Sequence, residues 1–196
     1  MATLFYEQTD RENDIGMSAW SNLIKYAATK VLSSENGKQL IEVKSHFKRV
    51  GSTSGSMRAA VQGSDGTWKG YTAYQDNSSW STSAFEEKTF TFDSAITLAT
   101  DDYIIIQSSD QGGSEKYIKI GTDITTPPAF RNCFTMENGS SSWTTHTDRE
   151  LTIKLYEPDS GGGSGGGGGS SEGDAPTGDG IPQTERLQIL STVIPR

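Results

Sequence analysis

Two imidazoles, one thiol and a scatter of carboxylates are all the chain offers for making and breaking bonds. His46 lies in KQLIEVKSHFKRVG on the side of an alternating strand that also carries Glu42, Lys44 and Lys48, which predicts a solvent-facing position. His146, in SSSWTTHTD, stands near Asp148, but no G-x-S-x-G elbow presents a nucleophile beside it. Cys133 is set among the apolar residues of AFRNCFTM and reads as a buried, inert thiol; as the only cysteine it excludes an intrachain disulfide. Two histidines and one cysteine at wide spacing do not make a zinc set. The adjacent pairs Glu86–Glu87 and Asp101–Asp102 point to opposite faces if they lie in strands, whereas glycosidase carboxylates must flank one bond. The expectation is therefore a protein that is not an enzyme and needs no resident cofactor.

Binding chemistry has better candidates. Calcium takes hard oxygen ligands, and Asp65, Asp101, Asp102 and Asp110 fall in turn-like loops that could supply them, although none matches the EF-hand spacing. Sugar recognition uses aromatic platforms beside amides and carboxylates. Trp68, Tyr71, Tyr74 and Trp80 lie within thirteen residues, with Asp76 and Asn77 among them, and Trp143 occurs in a later loop. These rings either form a glycan platform or pack over the end of the domain. Nucleic acid is excluded as a partner by charge, since a net −8 and a pI near 4.8 leave no cluster of phosphate-neutralising cations.

The elements that must position these residues are strands. In KQLIEVKSHFKRVG the apolar set runs Leu40, Ile41, Val43, then Ser45, Phe47 and Arg49, against Glu42, Lys44, His46 and Lys48, giving one dry and one solvated face. Met57, Ala59 and Val61 alternate in the next strand, and Phe90 and Phe92 mark another. Tyr103 to Ile106 is the strongest apolar run, Ile118 and Ile120 alternate with Tyr117 and Lys119, and Leu151, Ile153 and Leu155 close the pattern. Residues 70–83 read as a decorated loop with one short strand. The one stretch with some 3.6-residue character runs from Trp20 through Leu23, Ile24, Ala27 and Ala28 to Val31; a helical turn there gives way to a strand from about Ala27. Pro127 and Pro128 exclude a central strand at their position. Seven or eight strands with polar turns and no repeated helix predict an all-β fold, an antiparallel two-sheet β-sandwich of the jelly-roll kind.

The order IEVKSHFKRVG, GSMRAAVQGSDG, TFTFDSAITLATDDYIIIQ and ELTIKLYE resembles jelly-roll β-sandwich domains of secreted, surface and phage-encoded structural or carbohydrate-binding proteins, over residues 27–157. That resemblance implies a carbohydrate-binding module or a passive adhesive or scaffold domain. The opening MATLFYEQTDREND has charge where a signal peptide carries its apolar core, and no window approaches the ~20 apolar residues of a membrane span. The expected localisation is a virion or extracellular assembly, with synthesis in the host cytoplasm without a signal peptide.

Four segments follow from this reading: an N-terminal arm or first strand (1–26), the β-sandwich domain (27–157), an acidic Gly/Ser-rich flexible linker (158–180) and a C-terminal anchoring peptide (181–196). A glycine-rich chain of this kind spans about 25 Å root-mean-square over twenty residues. Beyond it, Leu187, Ile189, Leu190, Val193 and Ile194 are too few to fold alone and suit burial on a neighbouring protein, as an added strand or in a groove. The function expected first is a structural component of a virus particle or comparable assembly, held to other protein subunits through this tail. The alternative is a carbohydrate-binding or adhesive module.

Overall fold

A computed structural model describes residues 2–9, 13–18, 24–53, 55–109, 116–124 and 131–159. The described residues contain no α-helix; one 3₁₀ turn spans Ser33–Glu35. In chain order the strands are β1 (Thr3–Gln8), β2 (Asn13–Met17), β3 (Ile24–Lys30), β4 (Gln39–Val50), β5 (Ser56–Gln62), β6 (Trp68–Tyr71) and β7 (Gln75–Asp76). They continue with β8 (Glu86–Thr97), β9 (Tyr103–Ser108), β10 (Tyr117–Asp123), β11 (Cys133–Glu137), β12 (Thr144–His146), β13 (Glu150–Leu151) and β14 (Ile153–Glu157). The chain is all-β, and its strands join one large mixed sheet.

Two antiparallel blocks make up that sheet. In the first, β4 is the hub: its residues 42–45 pair with β14 on one side and β8 on the other, and its residues 47–50 pair with β10. β14 in turn pairs with β1, and β10 with β2 and β13. In the second block the order is β12, β11, β3, β9, β5, β6, with β7 also on β5. The blocks meet where Met17 of β2 lies beside Ile24 of β3, the one parallel pairing among the described residues. The N-terminal stretch is thus part of the sheet, and the expected boundary at residue 27 falls inside β3. Residues 19–23, where a helical turn was expected, and Pro127 and Pro128 lie outside the described residues.

Alternation explains the core. Leu40, Val43 and Phe47 of β4, Phe90 and Phe92 of β8, Ile118 and Ile120 of β10, and Ile153 and Leu155 of β14 are buried together with Ala27, Met57, Ala59, Val61, Ile104 and Ile106 from the second block. Each of these side chains larger than alanine contributes about 1.5–3 kcal/mol on leaving water. The doubled apolar pair Leu40–Ile41, which breaks the period of two, is where the register against β8 shifts: Ile41 alone stands against residues 92–95, so the extra residues of the irregularity lie in β8. β6 and β8, from different blocks, touch closely enough that a β-carbon at Gly70 would lie 2.6 Å from Cδ1 of Ile96.

Candidate functional site

The second block has a second face. Because side chains alternate along a strand, the residues of β3, β5 and β9 that do not enter the main core point the other way. Register then lines them up in rows across the sheet. One row runs Phe134, Ala28, Ile105, Ala60, Tyr71; a second runs Met136, Tyr26, Gln107, Arg58; a third runs Lys30, Tyr103, Gln62, Trp68. Ala28, Ile105, Ala60 and Phe134 form a small apolar cluster of their own, with Tyr26, Tyr103 and Trp143 packed against it. Two alanines at the centre keep this floor low, so the larger rings stand around it.

The rings touch in a continuous series. Trp143, on the β11–β12 connection, stacks on Tyr103 with centroids 5.1 Å apart and planes 10° from parallel, and meets Tyr26 edge-on at 6.3 Å. Tyr26 lies 6.5 Å from Trp68, and Trp68 lies 5.1 Å from Tyr71. Tyr103 also meets Phe134 edge-on. Between Tyr26, Trp68, Trp143 and Met136 opens a cleft of about 160 Å³ that Gln62 and Ser140 help to line. The side-chain amide of Gln62 donates to the Gly66 carbonyl, which orients it. Trp68, Tyr71 and Tyr74 are the exposed large rings, at 38, 37 and 44 %.

Cations sit on this aromatic surface. The Arg58 guanidinium lies 3.9 Å from the Tyr71 ring centre and 4.4 Å from that of Tyr74, and its Nε donates to Oε1 of Gln107 at 2.7 Å. Lys30 lies over Tyr103 and Phe134 and pairs loosely with Asp101 at 3.4 Å. Partial burial pushes the Tyr71 phenol up, against the pull of Arg58, so it remains a hydroxyl that can donate and accept.

Of the five rings expected to form a platform, Trp68, Tyr71, Tyr74 and Trp143 come to this surface. Trp80 does not: it is 4 % exposed and packs on Phe47 at 5.1 Å, with Lys88 over its other side. It is a core residue and is removed from the platform. The residues missed were Tyr26, Arg58, Tyr103 and Phe134; the alternation of YAATK, MRAAVQ and YIIIQ was the signal that could have found them.

The carboxylates read as calcium ligands are engaged within the chain. Asp65 accepts from the backbone N–H and the hydroxyl of Thr67, which hold its carboxyl below the usual range. Asp102, 2 % exposed, takes the Lys69 ammonium at 2.6 Å and the Ala99 N–H at 2.7 Å, fixing the turn before β9 to β6. Asp101 occupies the left-handed region at φ 68° in that turn. Asp110 lies outside the described residues, as do Leu187, Ile189, Leu190, Val193 and Ile194. Among the described residues no group of three or more His, Cys, Asp or Glu could hold a metal ion, and no helix is long and apolar enough to cross a membrane.

The remaining reactive groups are buried or paired within the chain. Burial pushes the Cys133 thiol up to about 12. The His146 ring, half-buried, bonds the Thr135 hydroxyl at 2.8 Å, and burial lowers its affinity for a proton. His46 faces Glu87 across the β4–β8 ladder at 3.9 Å and is only 15 % exposed, so the expected solvent-facing position is corrected to a half-buried one. A buried ionic cluster that sequence spacing gave no hint of joins Arg131 to Glu35 and stacks it on Tyr6, whose hydroxyl donates to Glu150. Burial pushes both Tyr6 and Glu150 up. Comparison with protein-family models, curated proteins and solved structures finds no match.

Proposed function

We propose that residues 27–157, together with the N-terminal strands that pair with them, form a two-sheet β-sandwich of the jelly-roll kind that acts as a non-catalytic glycan-binding, adhesive module. The sandwich is supported by a core drawn from both blocks and by the contact of β6 with β8. The binding function is carried by one observation: a ring-lined cleft on the outer face of the second block, with Gln62 and Ser140 at its border. The C–H faces of a pyranose stack on aromatic rings, while its hydroxyls require amide and hydroxyl partners of this type. A soluble monomer rarely leaves so many neighbouring rings half-exposed without a use for them.

The test is an oligosaccharide panel titrated calorimetrically into the full chain and into Trp68→Ala. Binding by the full chain that weakens about tenfold or more in the variant supports the proposal; a stacked ring contributes about 1.5–3 kcal/mol, and about 1.4 kcal/mol is tenfold. A panel that yields no binding overturns it.

A second reading is favoured by the sequence after Ser160. Glycine-rich spacing before Leu187, Ile189, Leu190, Val193 and Ile194 suits a subunit of a virus particle or comparable extracellular assembly, tethered to other structural protein subunits through that peptide. The two readings are compatible, since an assembly subunit can carry a glycan-binding face. Light scattering on the full chain and on a chain ending at Asp159 tests it: loss of self-association on truncation supports the tether, and equal masses for both chains refute it for like subunits.

A further inference from the structure

We propose, resting on the glycan-binding reading above, that the ligand is an acidic glycan whose sugar carboxylate is held by Arg58. Arg58 is built into the aromatic surface rather than extended into water. Tyr71 and Tyr74 cover its guanidinium at 3.9 and 4.4 Å, and Gln107, itself 7 % exposed, accepts from its Nε. These contacts fix the plane of the fork and use one of its five N–H groups. The two terminal nitrogens form no hydrogen bond within the described residues, and Arg58 has no carboxylate partner there. A pre-oriented fork of two nitrogens matches a carboxylate, which accepts two parallel hydrogen bonds from it.

Position and field agree with this. Arg58 is next to Tyr71, and Tyr71 is next to Trp68 at the mouth of the cleft, so one oligosaccharide can lay a ring against Trp68 and reach Arg58 with a neighbouring residue. The chain as a whole carries −8 and repels anions at long range. On this surface the balance is reversed: Arg58 and Lys30 stand among the rings, and Asp101, paired with Lys30, is exposed at its margin. An acidic protein that places cations on this aromatic face discriminates there in favour of an acidic ligand, and the short range of that attraction makes it selective for a carboxylate seated on Arg58.

The experiment titrates oligosaccharides containing uronic or sialic acid, and the same compounds with their carboxyl groups reduced, into the full chain, Arg58→Gln, Arg58→Lys and Trp68→Ala. Circular dichroism checks that each variant is folded. The expected result is at least one acidic compound that binds about tenfold tighter than its reduced counterpart. Arg58→Gln abolishes that preference while binding of the reduced compound persists, Arg58→Lys restores part of it, and Trp68→Ala weakens both compounds. Equal affinity for acidic and reduced forms, or a preference that survives Arg58→Gln, overturns the assignment of Arg58 and leaves glycan binding standing. Failure of every compound to bind overturns the binding function and this inference with it.

Discussion

Trp68 and Trp80 are separated by twelve residues and are chemically identical, yet the fold assigns them opposite tasks, which a pair of alanine variants can measure. Trp80 is 4 % exposed and lies between Phe47 and Lys88, so its removal leaves a cavity in the main core. Truncating a buried Trp costs about 3–5 kcal/mol, a fifth or more of the roughly 5–15 kcal/mol that holds a domain together. Trp68 is 38 % exposed and lies tilted against Tyr71 and Tyr26 within its ring series. Such ring pairs contribute about 0.5–1.5 kcal/mol each, so Trp68→Ala, which loses two of them, costs about 1–3 kcal/mol of stability. Urea unfolding followed by circular dichroism gives both numbers, and glycan titration of the same samples gives affinity. Trp80→Ala should lose the more stability and, below its transition, bind as the parent does; Trp68→Ala should lose less stability and lose binding. If Trp68→Ala is the more destabilised of the two, or a folded Trp80→Ala fails to bind while Trp68→Ala binds normally, the division between core and platform is refuted.

Three further outcomes follow from the interior. Glu35→Gln removes one of the two carboxylates, Glu35 and Glu150, that act on the buried Arg131 and should cost about 1.5–3 kcal/mol in urea unfolding, whereas a change below about 0.5 kcal/mol contradicts the pairing. Burial holds the Glu150 carboxyl above its ordinary value of 4.5, so the native state favours its protonated form. That contribution is fully present below the ordinary value and is lost as pH rises through the raised one; Glu150→Gln should therefore flatten the fall in unfolding free energy from acid to neutral pH, and an unchanged slope refutes this. Cys133 is fully buried with its thiol pushed up to about 12, so a thiol-specific reagent should label the native chain only at its unfolding rate; rapid stoichiometric labelling of folded protein contradicts the burial.

Local pattern was enough to read the strands whose one face is dry. β4, β5, β10 and β14 alternate as their residues require, and β9 was legible as the continuous apolar run Tyr103 to Ile106. What local pattern cannot carry is partnership. β1 pairs with β14 at the far end of the domain, and β2 with β10, so the role of the first seventeen residues depends on register set more than a hundred residues away. The binding surface was half legible for the same reason. A cluster of rings in residues 68–80 signals an aromatic surface, but Tyr26, Arg58 and Tyr103 reach it only because β3, β9 and β5 lie side by side. Trp80 was misread because it belongs to a loop, where no alternation says which side chain turns inward. The aspartates looked like metal ligands because turns and calcium sites draw on the same residues, and nothing near Asp102 in sequence announces that Lys69 will neutralise it.

The most direct measurement is a set of indole N–H resonances followed during glycan titration of the isotopically labelled full chain, whose four tryptophans include Trp68, Trp80 and Trp143. The signals of Trp68 and Trp143 should shift together and saturate with the calorimetric affinity, while that of Trp80 stays in place. A saturating ligand that leaves Trp68 and Trp143 unmoved would contradict the assignment of the aromatic cleft as the binding surface.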